Sequence, residues 1–199
     1  MNAERRLQYD QTYMNMALVL SSLSYAERNK VGCIIVSEDG HIISQGFNGM
    51  PHGMSNECEN VECTSTWTHG CIYTGEHPDK VKSLAYCNHC EHCKMTTKPE
   101  VLHAESNAIA KCAKWYASTE NSTLYVTLSP CIECAKLIIQ ARINRVVYFN
   151  EYRNLDGIPL LREAGVKVQR IMELSNNKVA LIDVDDEYLK LKKEQSQNS

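Results

Sequence analysis

The sequence predicts an α/β protein with a mixed five-stranded sheet covered by helices, and three observations carry that expectation. Short β-branched runs with a period near two are interleaved with longer runs whose apolar residues recur at helical spacing. Their order is β-β-α-β-α-β-α-β, a pattern that wraps helices around a partly parallel sheet. The 199 residues, 43% hydrophobic and 23% charged, suit one globular domain with a sizeable core.

Each element follows from local pattern. Asp10 to Leu23 alternates polar and apolar positions as a helix does, with Met14, Ala17, Leu18 and Leu20 among the expected buried set. Val31 to Ser37 is a β-branched run, Glu38-Asp39-Gly40-His41 is a turn and Ile42 to Phe47 is a second strand, which together make a hairpin. Ala104, Ala108 and Cys112, with Ile109 and Ala113, place a helix directly after His103. A strand at Thr123 to Leu128 leads to Pro130, which suits the start of a helix and puts Cys131 and Cys134 on its first turn. Arg145 to Phe149 is a strand, Leu155 to Ala164 a helix, and Val166 to Arg170 and Val179 to Ile182 are strands. The charged end from Asp185 is expected as a short helix, with a flexible tail from about residue 190.

One segment resists this reading. Compact domains rarely carry structureless loops of more than about 15 residues, so Asn48 to Leu102 needs something to hold it. Six of the ten cysteines lie between Cys58 and Cys93, among several histidines, and in a reducing compartment such clusters more often bind metal than form disulfides. A Cys/His-rich insertion at about 56–98 is therefore expected to hold a second, structural zinc, with Cys58, Cys63, Cys90 and Cys93 as the chosen ligands. The plainer alternative is a set of unpaired surface thiols.

Composition narrows the function classes. The N-terminus lacks the apolar stretch of a secretory signal, and Met16 to Leu20 is far too short to span a bilayer, so a cytoplasmic protein without a membrane partner is expected, in a host cytoplasm if the source is viral. A net charge of −3 argues against a long polynucleotide footprint, whereas a small phosphorylated ligand needs only a few local cations.

The chemistry is concentrated in His103-Ala104-Glu105 and Pro130-Cys131-Ile132-Glu133-Cys134. Three protein ligands, His103, Cys131 and Cys134, leave a position on zinc for water, which a four-ligand structural site does not. Glu105 remains as a proton carrier. A lone Cys-x-x-Cys would read equally well as a structural zinc knuckle or a redox pair, but His-x-Glu upstream of Pro-Cys-x-x-Cys is the signature of the zinc deaminases. Two helix N-termini would then meet at one metal, where their dipoles favour thiolates.

From about Tyr9 to Arg170 the chain resembles the deoxycytidylate (dCMP) deaminases, especially those of phages and viruses. The resemblance rests on Lys30-Val31-Gly32-Cys33-Ile34-Ile35-Val36, Gly46-Phe47-Asn48-Gly49-Met50-Pro51, His103-Ala104-Glu105-Ser106-Asn107-Ala108-Ile109 and Tyr125 to Lys136. It implies a three-layer α/β/α cytidine-deaminase-like fold and a zinc-dependent conversion of dCMP to dUMP with release of ammonia, with dCTP as a further substrate to consider. It also implies that a zinc-activated water attacks C4 of cytosine while Glu105 moves a proton to N3 and then to the leaving amine. Asn48 matches a residue that contacts the sugar, Tyr152 one near the nucleotide, and the backbone around Ala104 and Ser129 one that reads the pyrimidine edge. Arg28, Lys30 and Arg153 are the favoured contacts for the 5′-phosphate.

Relatives of this kind imply a homo-hexamer or other homo-oligomer, activated by dCTP and inhibited by dTTP with magnesium, at an allosteric site near Gly46, Phe47 and Gly49. The chain departs from the pattern at Lys111 and Lys114, which stand where relatives can carry an aromatic residue and an arginine used in assembly and regulation. Lysine lacks the bidentate fork of arginine, so the departure bears on regulation rather than on chemistry. The competing functions are a nucleoside or base deaminase, a nucleic-acid-editing deaminase and a non-catalytic zinc-binding module. Two Phe and two Trp offer little stacking surface for a strand, and a structural zinc has no use for Glu105.

Overall fold

The computed structural model describes residues 2–63, 93–174 and 178–197. Along the chain they form α1 (Ala3–Ser21), β1 (Gly32–Val36), β2 (Ile42–Phe47), β3 (Glu59–Cys63), β4 (Cys93–Thr97), α2 (Ala104–Trp115), β5 (Thr123–Leu128), α3 (Ile132–Gln140), β6 (Arg145–Asn150), α4 (Gly157–Glu163), β7 (Lys167–Leu174), β8 (Lys178–Asp183) and α5 (Asp186–Gln197). The main sheet runs β2-β1-β5-β6-β7-β8, and β3 and β4 pair separately. Its centre, β5-β6-β7, is parallel, while β2-β1, β1-β5 and β7-β8 are antiparallel.

Six strands stand where five are expected. Lys178–Asp183 joins the edge as a hairpin partner of β7, in register from Gln169↔Asp183 to Leu174↔Lys178. The ribbon β3–β4 is a second addition, because the segment after Asn48 carries its own antiparallel pair. The first helix also begins earlier than expected: Asn2 caps it by accepting from the Arg5 amide at 2.8 Å.

Alternation along the strands sorts the layers. Cys33, Ile35, Leu124, Val126, Val146 and Tyr148 face a core shared with Ala104 and Ala108 of α2, Ala135 and Ile138 of α3, and Ile158 and Leu161 of α4. Ile34, Val36, Tyr125 and Val147 point the other way, to Met14 and Ala17 of α1. The result is the three-layer α/β/α arrangement. Two glycines let backbones approach closely where the layers meet. A Cβ on Gly46 would sit 2.3 Å from the Ala104 carbonyl oxygen, and one on Gly157 2.3 Å from that of Pro130. The N-terminal ends of α2 and α3 are thereby seated against β2 and α4.

Candidate active site

Both signature helices begin at a ligand residue. His103 is the N-cap of α2 and Cys131 the N-cap of α3, each with extended backbone and no side-chain capping bond, so both side chains stay available. Cys134 lies one turn into α3, on the same face as Cys131. The two strands that precede and follow α3 are parallel neighbours, and the site forms beyond the carboxyl end of β5.

His103 Nδ1 lies 3.4 Å from Cys131 Sγ and 3.3 Å from Cys134 Sγ, and the three ligand atoms fall within 4.8 Å of one another. Zinc–nitrogen bonds near 2.0 Å and zinc–sulfur bonds near 2.3 Å in a tetrahedron put nitrogen and sulfur about 3.5 Å apart, so this donor set fits zinc. The Cys131 thiol is held down to about 3, first by the hydrogen bond from Cys134 and then by His103, against the effect of burial. Cys134, the donor of that pair and deeply buried, is pushed up. Zinc bound to both sulfurs displaces the proton they share.

Glu105, in the first turn of α2, is 4% exposed. Burial pushes its carboxyl up, while its own backbone amide and His103 pull the other way. It opens, with His103, Ala104 and Cys131, into a cavity of about 620 Å³ that is also lined by Arg28, Arg153 and Tyr152. That volume suits a small-molecule ligand, for which pockets of roughly 300–1,000 Å³ are usual.

The structure brings most of the sequence-derived candidates into this one cavity: Arg28, Asn48, Ala104, Ser129, Tyr152 and Arg153 all line it. Lys30 is exposed and is not among the lining residues. Asn48 has a defined structural task, since its Oδ1 accepts from the Val31 amide at 2.8 Å and its Nδ2 donates to the Asn29 carbonyl at 2.7 Å. Ser129 accepts from the Tyr152 amide at 2.8 Å and so anchors the loop after β6, and the Arg153 guanidinium sits 5.6 Å over the Tyr152 ring. Gly46 is packed against α2, and Phe47 lies under Lys111, whose Nζ donates to the Gln45 carbonyl at 3.1 Å. Gly49 bridges to Leu102.

Of the loop cysteines, Cys58 is buried with Ala26 and Val101, its thiol pushed up by burial. Cys63 and Cys93 are Cα partners across the ribbon, and Cys90 lies outside the described residues. Sequence reasoning missed Glu59, Thr97 and Glu151, which also line the cavity. No motif marks them, and only the folded ribbon and the loop after β6 bring them there.

Residues 7–150 match the family described as the cytidine and deoxycytidylate deaminase zinc-binding region. The chain belongs to that family. Among its relatives, the deoxycytidylate deaminase of Enterobacteria phage T2 is 36% identical over 177 residues, 82% of this chain and 93% of that protein. The phage T4 deoxycytidylate deaminase is 35% identical over 181 residues, 84% of this chain and 92% of its own length. The crystal structure of dCMP deaminase from cyanophage S-TIM5, in complex with dCMP and dUMP, is similar with a TM-score of 0.62 and 36% identity over 85% of this chain and 98% of that one. Family membership and the His103/Cys131/Cys134 cluster agree on zinc as the metal. Among the described residues no helix is long and apolar enough to cross a membrane.

Proposed function

We propose that the protein is a zinc-dependent hydrolase that deaminates dCMP to dUMP and ammonia. The observation that carries the reading is a single cavity lined by His103 and Cys131 of the His103/Cys131/Cys134 cluster, by the buried Glu105 and by two arginines. His103, Cys131 and Cys134 would hold a zinc ion, which would supply a Lewis acid and a bound water acidified to a pKa of roughly 7. Glu105 takes a proton from the attacking water and passes it to N3 of the pyrimidine. It then takes the second proton from the resulting C4 hydroxyl and delivers it to the departing 4-amino group, which leaves as ammonia, so that one carboxyl serves as base and then as acid. Its burial favours this, because a carboxyl pushed up from its ordinary value takes a proton more readily. Ala104 and Ser129 face the base, Tyr152 flanks the nucleotide, and Arg28 and Arg153 take the 5′-phosphate. Lys30 adds only long-range positive charge. Asn48 acts on the sugar directly or through the Asn29–Val31 loop that it holds.

In a side-by-side ammonia-release assay, dCMP is expected to be preferred to deoxycytidine by well over tenfold. Each charge-assisted hydrogen bond to phosphate is worth about 1.5–3 kcal/mol, and about 1.4 kcal/mol is a factor of ten. Equal rates on the two would refute the nucleotide reading in favour of a nucleoside deaminase. The same assay on dCTP and on single-stranded DNA ranks the remaining alternatives.

The chain forms one deaminase domain, and its Cys/His-rich insertion holds a second zinc. Supporting this is the register that sets Cys63 opposite Cys93 at the end of the ribbon. Elemental analysis is expected to find about two zinc ions per chain, one of the closed four-ligand kind and one of the open kind. A single zinc that disappears in Cys131→Ala would show that the insertion holds none. Homo-oligomer assembly and control by dCTP and by dTTP with magnesium belong to the same reading. What favours it is the packing of Gly46 and Phe47 on α2, since a ligand pressing on that stretch bears on the helix that carries Glu105.

A further inference from the structure

We infer that Glu59 is a positioning residue, which together with Thr97 on the insertion's ribbon holds Arg28 in the cavity and thereby makes the site select a 5′-phosphorylated substrate. The inference rests on the nucleotide reading above and adds to it the part played by the insertion.

Glu59 is only 5% exposed, and it lines the same cavity as His103 and Cys131. Its Oε1 accepts from the backbone amides of Glu27 and Arg28, at 3.1 and 3.3 Å. Thr97 is its Cα partner across the β3–β4 ribbon. Directly opposed residues in an antiparallel pair project from the same face. Thr97 uses that position to accept from Arg28 Nη1 at 3.1 Å. One cross-strand pair therefore grips Arg28 at both ends, the carboxylate at its backbone and the hydroxyl at its guanidinium.

The consequence is physical. An arginine on a loop must surrender rotamer entropy before it can bind a ligand. The Glu59 carboxyl fixes the Arg28 backbone and the Thr97 hydroxyl restrains the guanidinium, so the ribbon orders Arg28 in advance. The root of the ribbon is itself fixed, with the Lys98 amide donating to the Cys58 carbonyl at 2.9 Å and Cys58 packed on Ala26 and Val101. Through Glu59 and Thr97 the described part of the insertion thus reaches Arg28 in the cavity.

The test compares kcat and KM on dCMP and on deoxycytidine for the full-length protein, Glu59→Ala, Glu59→Gln, Thr97→Val, Arg28→Ala and the double variant Glu59→Ala/Arg28→Ala. Zinc content and thermal midpoint are followed throughout. Glu59→Ala is expected to lower the preference for dCMP over deoxycytidine by about tenfold or more, chiefly through KM. Glu59→Gln, which keeps a carbonyl acceptor, should recover most of it, and Thr97→Val should lower it while changing side-chain volume little. Because Glu59 acts through Arg28, the double variant should fall within about twofold of Arg28→Ala alone. Equal losses on both substrates, or losses that multiply in the double variant, would overturn the inference and leave Glu59 a merely structural residue. A wild-type protein with no preference for dCMP is a different signature, which removes the nucleotide reading and this inference with it. Should Glu59→Ala fail to fold, Thr97→Val decides the matter by the same ratio, and a preference for dCMP unchanged in it overturns the inference.

Discussion

Glu105→Gln is expected to keep its zinc and its nucleotide and to lose about two to four orders of magnitude in turnover, the scale of general acid/base catalysis. Glutamine fills the space of glutamate and retains a carbonyl acceptor, but it cannot carry a proton from water to N3 or to the leaving amine. The residue is 4% exposed, lines the cavity and lies two positions beyond His103. Single-turnover rates with zinc measured on the same sample check the assignment. Near-normal turnover would sink it. Loss of zinc along with activity would show that Glu105 shapes the metal site instead of serving the reaction.

Asp10→Ala is expected to destabilise the fold by about 3–5 kcal/mol, because it strands a buried guanidinium. Asp10 is 1% exposed and Arg145 5%. The arginine Nη1 and Nη2 donate to Asp10 Oδ1 and Oδ2 at 2.7 and 2.8 Å, and the Tyr125 hydroxyl donates to Oδ1 at 2.6 Å. Arg145 Nε continues to Gln169 Oε1 at 2.7 Å, and Gln169 Nε2 to Asp183 Oδ1. This network ties α1 to β5, β6, β7 and β8 on the side of the sheet away from the zinc-binding helices. For a chain of this size about 1 kcal/mol shifts the thermal midpoint by roughly 2–4 °C, so the change is readable by denaturant or heat. The size of the loss is the cost of an uncompensated charge and not the worth of the pair. An Asp10→Leu/Arg145→Met double variant should accordingly recover much of it. A loss under about 1 kcal/mol in Asp10→Ala would show that water reaches Arg145 when the carboxylate is gone.

Neither residue of that pair carries a signal in the sequence. Asp10 lies in the polar stripe of a helical pattern and Arg145 opens a strand, each a place where a charge is ordinarily solvated. The network arises only when α1 crosses the sheet and brings together residues separated by 135 positions. The edge strand Lys178–Asp183 was visible as a β-branched run, but its membership of the sheet depends on the hairpin with β7. The β3–β4 ribbon gave little periodicity to read. Its burial comes from packing on the 24–31 segment, through Cys58 on Ala26 and Glu59 on the amides of Glu27 and Arg28.

The sequence by itself determined that His103, Cys131 and Cys134 would be drawn together with Glu105 beside them, and it determined the helices and strands that bear them. These depend on neighbours: Cys131 and Cys134 share a face because they are three apart on one helix, and Glu105 follows His103 by two. Only the tertiary structure decided which cations reach the cavity. Arg28 and Lys30 are equivalent in sequence, two residues apart in one loop, yet Arg28 lines the cavity and Lys30 does not. The reason is that Arg28 is held by Glu59 and Thr97 from 31 and 69 positions away. Contacts at such separation are set by how layers and ribbons pack, which no local period encodes.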